Sequence, residues 1–190
     1  MMAFGKSAFV FLMLCLPSIS EAADHSIAGD KIRITDPADP ARRRFFFRTI
    51  REPEILATML DDPRVVSASL EVTGTNAGDG ATGTLILPAM TWKGLGSPAG
   101  TNGYLYYDRT APSGVTKVLL RPGQPGGRGG TLAITGRGIN WPYTITQPQG
   151  PISLRFTVGT TTYCAQFVDL AHNRVGSVLA TRAAPPPMCN

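Results

Sequence analysis

Ile152-Ser153-Leu154-Arg155-Phe156-Thr157-Val158, then Gly159-Thr160, then Thr161-Thr162-Tyr163-Cys164-Ala165-Gln166-Phe167 is the stretch on which the fold turns. Apolar and polar residues alternate through the first run with period two, the spacing that sends successive side chains to opposite faces of a strand. Gly159-Thr160 is the tightest turn in the chain, and a second run rich in β-branched and aromatic residues follows it. The segment predicts an antiparallel hairpin with one buried face.

Outward from this hairpin the same pattern repeats. Strands are expected at 31–35, 43–50, 65–72, 82–87, 90–93, 104–108, 115–120, 131–135 and 141–146, with one more at 175–181. Gly- and Pro-rich turns separate them, as in Asp36-Pro37-Ala38-Asp39-Pro40, 74–80 and 123–130. One short helix is expected at 54–60 (EILATML), after Pro53 and before Asp61-Asp62-Pro63. About ten short strands at such spacing predict an all-β domain. The reading is a single antiparallel β-sandwich, jelly-roll or immunoglobulin-like, with a barrel as the other topology. It spans 31–182, after a loosely held 23–30 and before a Pro-rich tail at 183–190.

Composition narrows the classes. Among 190 residues, 21 are Gly and 16 are Pro, too many interruptions for a helical bundle. Only 16% are charged against 43% hydrophobic, which excludes a disordered polyelectrolyte, and Gly has no collagen period.

The first 22 residues read as a secretory signal. Lys6 precedes the apolar run 8–16, Pro17 breaks it, and Ser20-Glu21-Ala22 places small residues for cleavage before Ala23, with Ala23/Asp24 as the neighbouring choice. The run is shorter than the ~20 apolar residues of a membrane span, and no later stretch approaches that length. Leu14 before Cys15 disfavours a lipoprotein signal, and Arg42-Arg43-Arg44 lies on the wrong side of the apolar run for a twin-arginine signal. The expected location is periplasmic or extracellular.

After such processing Cys164 and Cys189 remain, an even pair that reads as one disulfide in an exported chain, with two free thiols as the alternative. The bridge would staple the Pro185-Pro186-Pro187 tail to the strand containing Cys164. With only His25 and His172 elsewhere, the thiols lack a zinc ligand spacing. The net charge of +5 is partly local, with Arg42, Arg43, Arg44, Arg48 and Arg51 around Phe45-Phe46-Phe47. That cluster is either an anion-binding strand or an amphipathic strand with Phe45 and Phe47 on one face and Phe46 on the other. No nucleic-acid reader motif accompanies it, so no specific nucleic-acid partner is expected.

Other motifs read as structure. Gly94-Leu95-Gly96-Ser97-Pro98-Ala99 has the letters of a dinucleotide fingerprint, but the glycine-rich residues after it cannot continue a helix. Gly123 to Gly130 lacks the Lys-Ser/Thr ending of a phosphate loop, and Asn76-Ala77-Gly78-Asp79-Gly80 is too poor in oxygens for calcium. His172 follows Asp169 by three residues, yet no activated serine accompanies them, and both histidines read as surface residues. No two carboxylates stand out as a glycosidase pair. Trp92, Trp141, Tyr104, Tyr106, Tyr107 and Tyr143 form either a stacking platform for sugar rings or part of the core.

The segment Trp92-Lys93-Gly94-Leu95-Gly96-Ser97-Pro98-Ala99-Gly100-Thr101-Asn102-Gly103-Tyr104-Leu105-Tyr106-Tyr107-Asp108 resembles an uncharacterised family of exported bacterial β-domains carrying W-x-G-L-G-x-P-x-G-x-x-G-Y-x-Y-x-D. The likeness extends over roughly residues 28–190, through VLLRPG at 118–123, GRGI at 136–139, QPQG at 147–150 and TYCAQF at 162–167. The resemblance implies an all-β exported domain and a Cys164–Cys189 disulfide. Members often carry another cysteine pair in the region of 113–138, where this chain has none. It implies no activity, ligand or catalytic residue.

Together these readings predict an exported, non-catalytic β-sandwich, a binding, adhesion or envelope-surface module without cofactor or metal. A glycan or an envelope surface is the expected partner, contacted by Trp92, Tyr104, Tyr106, Arg43, Arg44 and Arg48. The alternatives are a polysaccharide hydrolase on a jelly-roll-like scaffold and an anionic-polymer binder acting through 42–51.

Overall fold

The computed structural model describes residues 23–56, 61–124 and 126–189. The expected signal segment and residues 57–60 of the expected helix lie outside them. Thirteen strands follow in chain order: β1 (Ala23–Ser26), β2 (Gly29–Thr35), β3 (Arg44–Arg48), β4 (Ala68–Gly74), β5 (Leu85–Leu87), β6 (Trp92–Gly94) and β7 (Tyr104–Tyr107), then β8 (Val115–Arg121), β9 (Thr131–Arg137), β10 (Ile152–Val158), β11 (Thr161–Phe167), β12 (His172–Arg174) and β13 (Ser177–Ala183). They form two open sheets, one of five strands in the order β1-β11-β10-β4-β5 and one of eight in the order β12-β13-β2-β3-β9-β8-β7-β6. Each sheet keeps two edge strands, so the fold is a sandwich and not a closed barrel. Every ladder is antiparallel except β1 on β11.

Alternation places the core. Ile32 and Ile34 of β2, Phe45 and Phe47 of β3, and Leu132 and Ile134 of β9 are buried beneath the larger sheet. Leu70, Val72, Leu154 and Phe156 meet them from the smaller one. Phe47 contacts Phe167 edge-on across the layers, with ring centroids 6.2 Å apart. Phe46 takes the opposite face of β3, as the amphipathic reading of that strand expects.

Four segments depart from the sequence reading. The 65–72 strand begins as a one-turn helix, α1 (Pro63–Val66), and only then becomes β4. Asp62 caps α1 by accepting the Arg64 N–H at 2.9 Å, and Pro63 supplies a preset φ at its first position. Asp-Pro, read as the end of a helix before it, is the start of one after it. Glu54 lies in a turn, so the described part of 54–60 is not helical.

Residues 141–146 alternate in burial but join no sheet. Trp141, Tyr143 and Ile145 are buried, and the backbone is satisfied elsewhere: Ile145 N–H donates to the Asp36 carboxylate at 2.8 Å and its carbonyl accepts Gly176 N–H at 2.9 Å. Trp141 stacks on Phe45 at 4.4 Å and 12°, in the space left by Gly136. Residues 23–30 are not loose: β1 pairs with β11, Ile27 is fully buried, and Ala28 N–H donates to buried Glu52 at 2.8 Å. A parallel partner so far along the chain leaves no local mark in the sequence.

Cys164 and Cys189 are disulfide-bonded across a sequence separation of 25. The bond lays Pro186, Pro187 and Met188 beside Ser153, Arg155 and Gln166 on the smaller sheet's outer face.

Candidate anion-binding face

The outer face of the eight-stranded sheet follows from strand parity. Where Ile32 and Ile34 point inward, Lys31, Arg33 and Thr35 point outward; where Phe45 and Phe47 point inward, Arg44, Phe46 and Arg48 point outward. On β9 the outward set ends at Arg137, on β8 it includes Lys117 and Arg121, and Lys93 and Arg174 extend it on β6 and β12. These outward positions carry no Asp or Glu. Most of the described acids sit in turns and loops, at Asp36, Asp39, Asp61, Asp62, Asp79, Asp108 and Asp169 among others, while Asp24, Asp30 and Glu71 lie in strands.

Register brings the cations together. Arg44 is directly opposite Arg137 on one side and Thr35 on the other. One step along, Arg33 is opposite Phe46, which is opposite Thr135. A groove of about 840 Å³ opens here, lined among others by Lys31, Arg33, Arg42, Arg44, Phe46 and Arg137. Like charges opposed across a ladder destabilise it by several tenths of a kcal/mol or more, so this arrangement gains nothing from the fold itself. It concentrates positive potential on a broad, shallow surface.

The smaller sheet is its opposite. Its outward positions on β4 and β10 are Ser69, Glu71, Thr73, Ser153, Arg155 and Thr157, with Arg155 directly across from Glu71. On these two strands the one outward arginine thus faces an acid, whereas Arg44 of the larger sheet faces Arg137.

The expected arginines divide. Arg44 stands open in the groove. Arg43 is turned into the structure, where its Nε donates to Asp36 at 2.7 Å and its Nη1 to the Trp141 carbonyl at 3.4 Å. Arg48 is paired with Asp30 through Nε at 3.0 Å and Nη2 at 2.6 Å. Arg42 lines the groove, while Arg51 lies in the turn beyond β3 and outside it. The 42–51 cluster is thus not one surface.

The expected aromatic platform of Trp92, Tyr104 and Tyr106 is a correction: all three are buried in the core, Tyr106 completely. Tyr104 and Tyr106 do share a face of β7, but it is the inner one, where Trp92 packs on Tyr106 at 5.4 Å. Tyr107, on the outer face, is 49% exposed. The Arg109 guanidinium donates to its hydroxyl at 3.2 Å, stands over its ring, and holds the phenol below its usual range.

The glycine-rich motifs are loops. Residues 95–103 close the β6–β7 hairpin through Leu95 N–H to Gly103 O and Asn102 N–H to Leu95 O, with no helix. At 123–130 Gln124 N–H donates to Arg128 O. Asp79 spends its carboxylate on the N–H groups of Asn76 and Gly150, both at 2.9 Å. Among the described residues, no three His, Cys, Asp or Glu converge as metal ligands would. His25 is not a free surface residue: it stacks on Tyr163 at 5.5 Å and lies 3.3 Å from Glu54 Oε2.

Sequence reading missed Lys31, Arg33, Lys117 and Arg137, because they are spread over three strands, β2, β8 and β9, that only the sheet order brings side by side. A signal was present: the polar positions of the alternating strands are repeatedly basic, while most of the described acids fall in turns. Neither family models, curated proteins nor solved structures provide a match to this chain.

Proposed function

We propose that the protein is a non-catalytic binding module that holds an anionic polymer on the outer face of its eight-stranded sheet. The observation carrying this reading is the opposition of Arg44 and Arg137 within a sheet whose outward strand positions are basic on most strands and include no acid, Asp30 beside Arg48 being the one carboxylate paired to them. The groove lining contains no carboxylate, which supports binding over glycoside hydrolysis, a chemistry built on a carboxyl pair. The Cys164–Cys189 bridge supports export to an oxidising compartment such as the periplasm or cell surface.

Retention on a heparin column across a salt gradient tests the reading. Binding should weaken steeply with salt, and each groove arginine removed should lower the log–log salt slope by about one. Arg44→Glu combined with Arg137→Glu should elute far earlier than the parent protein. Unchanged elution of that double variant would refute the proposed face.

A further inference from the structure

Resting on that reading, the geometry of one cross-strand row names the ligand class: we infer that the polymer is an acidic polysaccharide lying across the strands from Arg33 to Tyr107. The row is continuous in register. Arg33 of β2 faces Phe46 of β3, Phe46 faces Thr135 of β9, Thr135 faces Lys117 of β8, and Lys117 faces Tyr107 of β7. Five neighbouring strands at a spacing of about 4.8 Å make a track of roughly 19 Å, with its two aromatics roughly 14 Å apart.

Chemistry distinguishes this track from a plain basic patch. Cations alone accept any polyanion, and an aromatic surface alone suits a neutral sugar. Here cation, aromatic ring, hydroxyl, cation and aromatic ring follow one another, while Arg44 and Arg137 flank the row one step away. A sugar ring offers an apolar C–H face to Phe46 and Tyr107, hydroxyls to Thr135, and a carboxylate or sulfate to the arginines and lysine. Phe46 lines the groove although it is apolar and faces away from the core. Tyr107 is held at the far end by Arg109.

Single-stranded nucleic acid also combines stacking with charge, but its binding modules stack successive bases on neighbouring aromatics. This row sets Thr135 and Lys117 between its two rings. The disulfide also favours a compartment where acidic glycans are the commoner polyanions.

Calorimetric titration of the full chain with alginate oligosaccharide, heparin, long-chain polyphosphate and oligothymidylate tests the inference. Polyphosphate has the charge without ring faces. Phe46→Ala and Tyr107→Ala should each weaken alginate and heparin binding by ~2–10-fold, and leave polyphosphate binding unchanged. Phe46→Leu, which keeps apolar volume, should lose glycan affinity as Phe46→Ala does while melting like the parent. If the aromatic variants bind every polyanion as the parent does, the polysaccharide assignment fails and the anion-binding face stands. Tighter, Phe46-dependent binding of oligothymidylate overturns the glycan in favour of nucleic acid. No binding of any of the four by the parent protein overturns both readings.

Discussion

Arg44 of β3 and Arg137 of β9 are opposed in register on the outer face of the larger sheet, and among the described residues neither is in an ion pair. A fold selected for stability alone would place an acid or a neutral residue at one of the two. Replacing Arg137 with Gln should raise stability by about 0.2–1 kcal/mol by removing the opposed charge. The same variant should bind heparin more weakly. Chemical denaturation and column retention on one sample measure both, and loss on both counts would contradict the account.

Asp36 joins three parts of the chain. One oxygen accepts Arg43 Nε at 2.7 Å and the other accepts Ile145 N–H at 2.8 Å. The Asp36 side chain is 11% exposed and Arg43, which also lines the groove, 20%, so deletion of the carboxylate leaves a largely buried cation and an amide without their shared partner. Asp36→Ala should cost about 3–5 kcal/mol, measured by urea unfolding, far more than removal of Asp30 from exposed Arg48.

Gly136 leaves the room in which Trp141 lies on Phe45. A Cβ there would stand 2.7 Å from Trp141 Cε3. Gly136→Ala should displace the indole and destabilise the sandwich by about 1–3 kcal/mol, with a shift in tryptophan emission as the local marker. An unshifted spectrum with parental stability would show that Trp141 has another place to pack.

The Cys164–Cys189 bond closes a 25-residue separation. Cys164→Ser with Cys189→Ser should lose about 3.5 kcal/mol on the chain-entropy account, seen as a lower Tm without reductant. In the parent protein, added reductant should reproduce most of that loss. Limited proteolysis should then cut the tail near Met188, which lies beside the smaller sheet when the bond is intact.

Asp61 fixes the β10–β11 turn from a distant part of the chain. Burial raises its carboxyl, but hydrogen bonds from Thr160 N–H at 2.9 Å, the Thr160 hydroxyl at 3.0 Å and the Thr161 hydroxyl at 3.1 Å outweigh this and hold it below its ordinary value. A lowered folded pKa stabilises above the unfolded value of about 3.9, and that stability is lost as pH falls through the folded one. Asp61→Asn should therefore melt lower than the parent at pH 7, and the gap should close below about pH 4. Tm measured against pH for both proteins checks the convergence.

The strands and the inward set were legible because alternation is a local property. Ile32, Ile34, Phe45, Phe47, Leu154 and Phe156 can be assigned to a core from period two alone, and all are buried. The proposed anion-binding face was only half legible. Arg44 was visible as a charged residue beside a phenylalanine run, but Arg43 and Arg48 looked equivalent to it, since the pairing of one with Asp36 and the other with Asp30 is not written in spacing. Trp92, Tyr104 and Tyr106 looked like platform residues because an aromatic side chain serves a core and a sugar surface equally well.

The sequence by itself determined that the chain forms strands and which side chains of each must avoid water. Those follow from backbone geometry and transfer free energy, which act residue by residue. Only the tertiary structure decided that β3 lies between β2 and β9, and hence that Arg33, Arg44, Phe46 and Arg137 share one groove. Sheet order depends on which buried faces fit together across long loops, and no single segment contains that information.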